Sequence, residues 1–269
     1  MSELSSRDRF LRLSDVARAR RDGGLAVLEG FHALKHATRF GAELLGAWTA
    51  DLEELEALRA RLAPDIAIEA ERVAADELAA IVPRAQVVAV ARRPRLPHPD
   101  VLLAERGTAP LVLLEDPRHL GNLGAAVRVA AAAGAGGVLT TGRQDPWHPD
   151  ALRGAAGLHF ALPVYRLKAV PAGPRPLLAL DPEGERFDPR AVPPGAILAF
   201  GTERDGLTDA LLDRADERLA LPMAPGVSSL NLATAVSATL FALRLLASER
   251  GTPPGEGRRS GDLRGEAGC

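Results

Sequence analysis

From residue 110 onward the sequence repeats one pattern: a short unbroken apolar run followed by a helical stretch. The runs are LVLLE (111–115), GVLTT (137–141), PLLALD (176–181), AILAF (196–200) and RLALP (218–222). A run with no polar alternation has no face that it can turn to water, so both faces must be covered. Such runs interleaved with helices predict an α/β fold with a parallel sheet between helical layers. An Ala-rich helix at 123–133, closed by Gly134, separates the first two strands. A last helix at 231–248 aligns Leu232, Val236, Leu240 and Leu243 on one face. Ligands of parallel sheets sit beyond the carboxyl ends of the strands, which directs attention to residues 116, 141, 201 and 222.

The first third of the chain reads differently. Strands are expected at LAVLEG (25–30) and VVAVA (87–91), with helices at 31–41, 52–62 and 75–82 between them. ARRPRLPHPD (91–100) holds three prolines and no periodicity, so it reads as a linker. The expected organisation is a small α/β domain at 1–92, a linker at 93–104, a parallel-sheet domain at 105–249 and a disordered tail at 250–269 that is nearly devoid of apolar residues. Hydrophobic residues make up 46% and charged residues 25%, which suits a packed core. No apolar run of about 18 residues exists, so no membrane span is expected. The polar start lacks a secretory signal's apolar segment. Cys269 is the only cysteine, which excludes a disulfide framework and a cysteine metal site. These features together fit a cytoplasmic protein.

A net charge of −2 hides local structure. Residues 7–21 carry Arg7, Arg9, Arg12, Arg18, Arg20 and Arg21 against Asp8 and Asp15. That cluster makes RNA a candidate partner, with Arg18, Arg20 and Arg21 as contacts. Lys35 and Lys168 are the only lysines, a bias that an Arg-rich codon usage would also give.

Candidate chemistry starts in EDPRHLGNLGAAVRVAAAAG (115–134). This reads as a strand, an Asp-Pro turn, Asn122 as helix N-cap and then the helix. Arg128 stands in the second turn of that expected helix, among Ala, Val and Gly side chains, where it needs a partner. Asn122 and Arg128 lie roughly 9 Å apart along the helix axis, and helical side chains lean back toward the N-terminus. Free amides and the helix dipole make that end receptive to phosphate. GNLGAA is not a G-x-G-x-x-G loop, and no acidic residue follows the next strand, so a nicotinamide site is disfavoured. Neither a P-loop nor a G-x-S-x-G elbow is present. His98, His119, His148 and His159 lack metal-ligand spacing, so no metal is expected; His119 alone adjoins the Asp-Pro turn. Two further blocks follow: Gly201-Thr202-Glu203-Arg204-Asp205-Gly206, and Leu221-Pro222-Met223 with Ser229-Leu230-Asn231 eight residues on. Each alone is a turn or a cap; their order is specific.

In that order, Asn-x-Gly-x3-Arg, Gly-x-Glu-x2-Gly and Leu-Pro-Met…Ser-Leu-Asn resemble the three motifs of the SpoU/TrmH family of RNA ribose 2′-O-methyltransferases. Upstream, LAVLEGFHALKHA is similar to that family's ribosomal-protein-like RNA-binding domain. The resemblance implies methyl transfer from S-adenosylmethionine to an RNA ribose, most readily of 23S ribosomal RNA, with tRNA or a non-catalytic RNA-binding role as alternatives. It also implies a deep trefoil knot in the C-terminal domain and a homodimer. It makes Arg128, Asn122, Glu203, Ser229 and Asn231 catalytic, and Gly201, Leu221, Met223 and Leu230 the cofactor's contacts. Three features depart from the family pattern: DPRHLGN holds three extra residues, Val129 stands in place of Thr, and Ala233 in place of Ser.

Overall fold

The computed structural model describes residues 11–104, 107–170, 173–202 and 205–250. The expected tail and Glu203 lie outside the described residues. The chain divides into two compact units, one of Met1–Pro94 with Trp147–Phe160, the other of Arg95–Pro146 with Ala161–Cys269.

The first unit begins with the short helix α1 (Val16–Ala19), then β1 (Leu25–Glu29), α2 (Phe31–Arg39), β2 (Leu44–Thr49), α3 (Leu52–Leu62), β3 (Glu71–Arg72), α4 (Ala75–Ile81) and β4 (Val87–Arg92). Its strands form a four-stranded sheet in the order β1-β4-β2-β3. β4 is antiparallel to both β1 and β2, and only β2–β3 is parallel. One face buries Val16, Ala19, Val27, Trp48, Leu78, Val82, Val88 and Val90. The Trp48 indole N–H donates to the Glu71 carboxylate at 3.2 Å, which satisfies the one polar group of that buried ring. α3 starts where Asp51 accepts from the amides of Glu53 and Glu54, both at 2.9 Å, an acidic N-cap.

The second unit carries α5 (Pro99–Ala104), β5 (Leu111–Leu114), α6 (Leu120–Ala133) and β6 (Gly137–Thr140). The chain then makes α7 (Pro149–Gly154), which belongs to the first unit. It continues through β7 (Val164–Arg166), β8 (Leu177–Arg186), β9 (Ile197–Phe200), α8 (Asp209–Leu212), β10 (Glu217–Ala220) and α9 (Leu232–Glu249). Six parallel strands lie in the order β10-β8-β9-β5-β6-β7. All four residues of β5 are fully buried, as a strand covered on both faces requires. Leu111 and Leu113 pack with Leu139, Ile197 and Ala199. By strand alternation Val112 and Leu114 face the other way.

On α6, Leu123, Ala126, Val127 and Ala130 are buried; on α9, Leu232, Val236, Thr239 and Leu240 are buried. The two helices pack together. α9 is long and apolar enough, by length and composition, to cross a membrane. Its Arg244 nevertheless donates to the Ala133 carbonyl at 3.1 Å, capping the C-terminus of α6.

Four expectations need correction. The linker contains α5, whose proline stands at the first helical position, where no amide hydrogen is needed. β2, β3 and β7 are additional strands. The stretch Trp147–Phe160 groups with the first unit and not with the parallel-sheet unit. There Arg153 pairs with Glu29 at 2.8 Å, His36 Nδ1 bonds the Ala156 carbonyl at 2.7 Å, and Arg93 lies over the Trp147 ring at 5.8 Å. Finally, α6 begins at Leu120 with His119 as N-cap. Asn122 therefore sits within the first turn and is not the cap, and Arg128 sits in the third turn.

Candidate active site

The strand order locates the site. β5 leads to β6 on one side, while β9, its neighbour on the other side, leads to β10 beyond β8. The chain departs in opposite directions from adjacent strand ends, the topological switch point at which parallel sheets bind ligands. The first motif block follows β5 and the second follows β9.

β5 ends in a tight corner. Asp116 has φ 42°, in the left-handed region that non-glycine residues rarely adopt. Its amide donates to Thr141 Oγ1 at 3.1 Å, and the Thr141 amide donates to the Leu114 carbonyl at 3.1 Å. Gly142 (φ 81°) lies against the Asp116 carboxylate, and any Cβ there would overlap it. Backbone strain of this kind concentrates at functional sites.

After β9, Gly201 lies so close to the Gly206 backbone that a Cβ could not be accommodated. Thr202 N donates to Gly206 O at 2.9 Å and Gly206 N to Thr202 O at 3.2 Å, closing the loop that carries the second block. The first and second blocks are joined by side chains. The Glu115 carboxylate accepts from the Thr208 amide and hydroxyl, both at 2.8 Å, and Arg118 pairs with Asp205 at 2.9 Å. Glu115, Arg118 and Asp205 were not singled out from sequence. Their contacts span 87 to 93 residues and leave no local signature.

The first and third blocks meet directly. Asn231 is the N-cap of α9, its Oδ1 accepting from the Ala233 amide at 3.0 Å, while its Nδ2 donates to Asn122 Oδ1 at 3.1 Å. One asparagine thus ties the amino termini of two long helices together. Neither α6 nor α9 has an acidic residue in its first turn, so neither helix offsets the positive end of its own dipole.

The other candidates fall as follows. Arg128 is exposed, and no hydrogen bond or ion pair of its guanidinium is found among the described residues. Six residues of helix rotate it about 120° away from Asn122, so the two do not share a face. Its own face carries Gly121 and Ala125, and the space around Gly121 is open. A side chain leaning N-terminally therefore has a clear path toward the helix start. Leu221, Met223 and Gly201 are half-buried, and Ser229 and Leu230 are exposed. Among the described residues, Val227 is the only one from 223 to 230 whose amide donates a hydrogen bond, to Ala224 O at 3.1 Å. In the first unit, Arg18 pairs with Asp15 at 3.1 Å, Arg20 bonds Glu29 at 2.8 Å and Ile81 O at 2.9 Å, and Arg21 is exposed. The three arginines are close in sequence, but Arg20 serves the unit's own structure.

Comparison with known proteins now adds to this geometry. A model of the SpoU rRNA methylase family matches residues 109–241. The chain is 32% identical to an uncharacterized tRNA/rRNA methyltransferase of Synechocystis over 264 residues, 87% of this chain and 89% of that protein. The chain belongs to the SpoU/TrmH family of RNA methyltransferases. Among SpoU relatives, the 23S rRNA (uridine(2479)-2′-O)-methyltransferase of Streptomyces viridochromogenes is 32% identical over 145 residues, 48% of this chain and 50% of that protein. The fold matches the crystal structure of the SpoU methyltransferase AviRb from Streptomyces viridochromogenes, solved in complex with AdoMet. The TM-score is 0.71 at 24% identity, covering 91% of this chain and 99% of that one.

Proposed function

We propose that this SpoU/TrmH protein transfers a methyl group from S-adenosylmethionine to a ribose 2′-hydroxyl of ribosomal RNA, with 23S RNA as the substrate. The observation that carries the reading is the Asn231–Asn122 hydrogen bond at the switch-point edge of the parallel sheet. S-adenosylmethionine is the cofactor. The residues suit it: an exposed loop in which, among the described residues, only the Val227 amide is engaged, with Leu230 and Val227 41% and 50% exposed, can serve a ligand with both polar and apolar parts. Gly201, Leu221, Met223 and Leu230 would hold it. When bound it supplies a methyl group on a sulfonium, which carries its own leaving group.

The chain must then make the hydroxyl reactive. A guanidinium is a donor with no acceptor site, so the base role is not assigned to Arg128. Arg128 instead holds the target phosphate and stabilises the charge that grows on the ribose oxygen, while phosphate or water takes the proton. The positive ends of α6 and α9 favour the same charge. Asn122, Asn231, Ser229 and Glu203 orient the ribose and the arginine. The C-terminal part of the unit is knotted in this reading, as its family resemblance implies. The first unit binds the RNA substrate, for which an extruded loop nucleotide is the accessible target. The protein works as a homodimer, and Phe241 and Leu245 of α9, 36% and 64% exposed, suit such an interface.

The test incubates the protein with tritiated S-adenosylmethionine and, separately, unmodified 23S RNA and bulk tRNA. Label in the 23S RNA supports the proposal. Label in tRNA alone transfers the activity to the other substrate class, and absence of both transfer and cofactor binding contradicts it.

A further inference from the structure

We propose that Arg118 is a second contact for an RNA phosphate, held by Asp205 until the substrate arrives. This rests on the RNA methyltransferase reading and deepens it. The residue lies in the DPRHLGN extension, four positions before Asn122, on a backbone fixed from two sides. Asp116 enters the corner in a left-handed conformation braced by Thr141 and Gly142, and Pro117 is buried. The carbonyl of Arg118 itself accepts from Gln144 Nε2 at 3.2 Å. A loop built this firmly presents its side chain at a defined place beside the switch-point edge.

The guanidinium is engaged without being buried. It pairs with Asp205 at 2.9 Å, and the two side chains are 54% and 67% exposed. Ion pairs so exposed are screened and weak. A phosphate offers the planar, forked guanidinium a more highly charged acceptor with several oxygens. Exchange of Asp205 for a phosphate is therefore favourable once RNA is near. Asp205 lies in the loop closed by the Thr202–Gly206 pair, with its amide on Thr202 Oγ1 at 3.0 Å. Arg128 would hold one phosphate at the target nucleotide and Arg118 another along the same strand.

The alternative is a clasp that merely ties two loops together, and opposite substitutions separate the two roles. Breaking a clasp from either end has the same effect, whereas a phosphate contact is lost from one end and released from the other. The experiment measures KM for in vitro transcribed 23S RNA, and its Kd by filter binding with S-adenosylhomocysteine present, across a salt series. Arg118→Ala should raise both about 5- to 30-fold and flatten the slope of log Kd against log salt by about one. Arg118→Lys should recover part of the loss. Asp205→Ala should leave both constants unchanged or lower them about 2-fold, the loosened pair being a weak one. Equal weakening by Arg118→Ala and Asp205→Ala with an unaltered salt slope would overturn the proposal, as would an Arg118→Ala protein that binds RNA like wild type. Wild-type protein that binds the RNA but never methylates it would instead count against the catalytic reading, with the Kd series still deciding the role of Arg118.

Discussion

The two units use charge in opposite ways. In the first, arginines are matched to carboxylates: Arg20 and Arg153 converge on Glu29, Arg39 meets Asp65, Arg59 meets Glu56, and Arg92 meets Glu43. Its helices α3 and α4 carry Glu53, Glu54, Asp76 and Glu77 in their first turns, matching the helix dipole. In the second unit, α6 and α9 begin without an acid in their first turns, a hydrogen bond between two neutral asparagines links their amino termini, and Arg128 stands exposed. Compensated charge holds a scaffold together. Charge left open at a strand-end crevice is available to an anionic substrate.

If that contrast is right, the largest effect comes from the open side. Arg128→Ala should lower kcat about 10³-fold or more, the scale of losing a group that stabilises transition-state charge. The Kd for S-adenosylmethionine by calorimetry should stay within about 3-fold of wild type, since binding and charge stabilisation are separate roles. Equal loss of both would place Arg128 in cofactor binding. On the compensated side, Glu29→Ala leaves Arg20 and Arg153 facing each other around a site only 13% exposed. It should destabilise the first unit by about 1–3 kcal/mol in urea denaturation, with the Kd for cofactor unchanged.

Asn231 sharpens the comparison because it serves both structure and site. Asn231→Asp keeps an acceptor for the Ala233 amide but can no longer donate to Asn122. Stability should stay within about 0.5 kcal/mol of wild type, since Asp caps as well as Asn, while turnover falls. Asn231→Ala should lose both, with about 1 kcal/mol of stability. The smallest effect belongs to His36. Burial holds its pKa below 6.5, partly opposed by its bond to the Ala156 carbonyl, with Lys35, Arg39 and His32 lowering it further. As pH falls through 6.5 the unfolded chain takes up the proton first, so stability is lost on acidification. Tm between pH 7 and 5 should fall more for wild type than for His36→Gln, by about 1–3 °C. An identical pH profile would show that the ring titrates alike in both states.

Much of the parallel-sheet unit was legible because β5, β6, β9 and the first half of β8 are apolar runs, and RLALP overlaps most of β10. β7 was not, since VYR is three residues long with a polar end. β2 was hidden by Gly46, which interrupts LLGAWT; the Trp48 ring covers that position, and a Cβ there would collide with it. α5 was masked by Pro94 and Pro97 before it and by its own Pro99, although Pro99 occupies the one helical position that suits proline. The motif blocks singled out both Asn122 and Asn231, and a hydrogen bond joins the two in space. Local reading failed where contacts cross between loops. Glu115 with Thr208, Arg118 with Asp205 and the grouping of Trp147–Phe160 with the first unit are all products of topology.

The most direct test of the account is to identify the methylated nucleoside. Unmodified 23S RNA would be incubated with S-adenosylmethionine and either wild-type or Arg128→Ala protein, digested to nucleosides and analysed by mass spectrometry. The account predicts one 2′-O-methylated nucleoside with wild type and none with Arg128→Ala. A base-methylated product, or a ribose-methylated product that persists in Arg128→Ala, would contradict it.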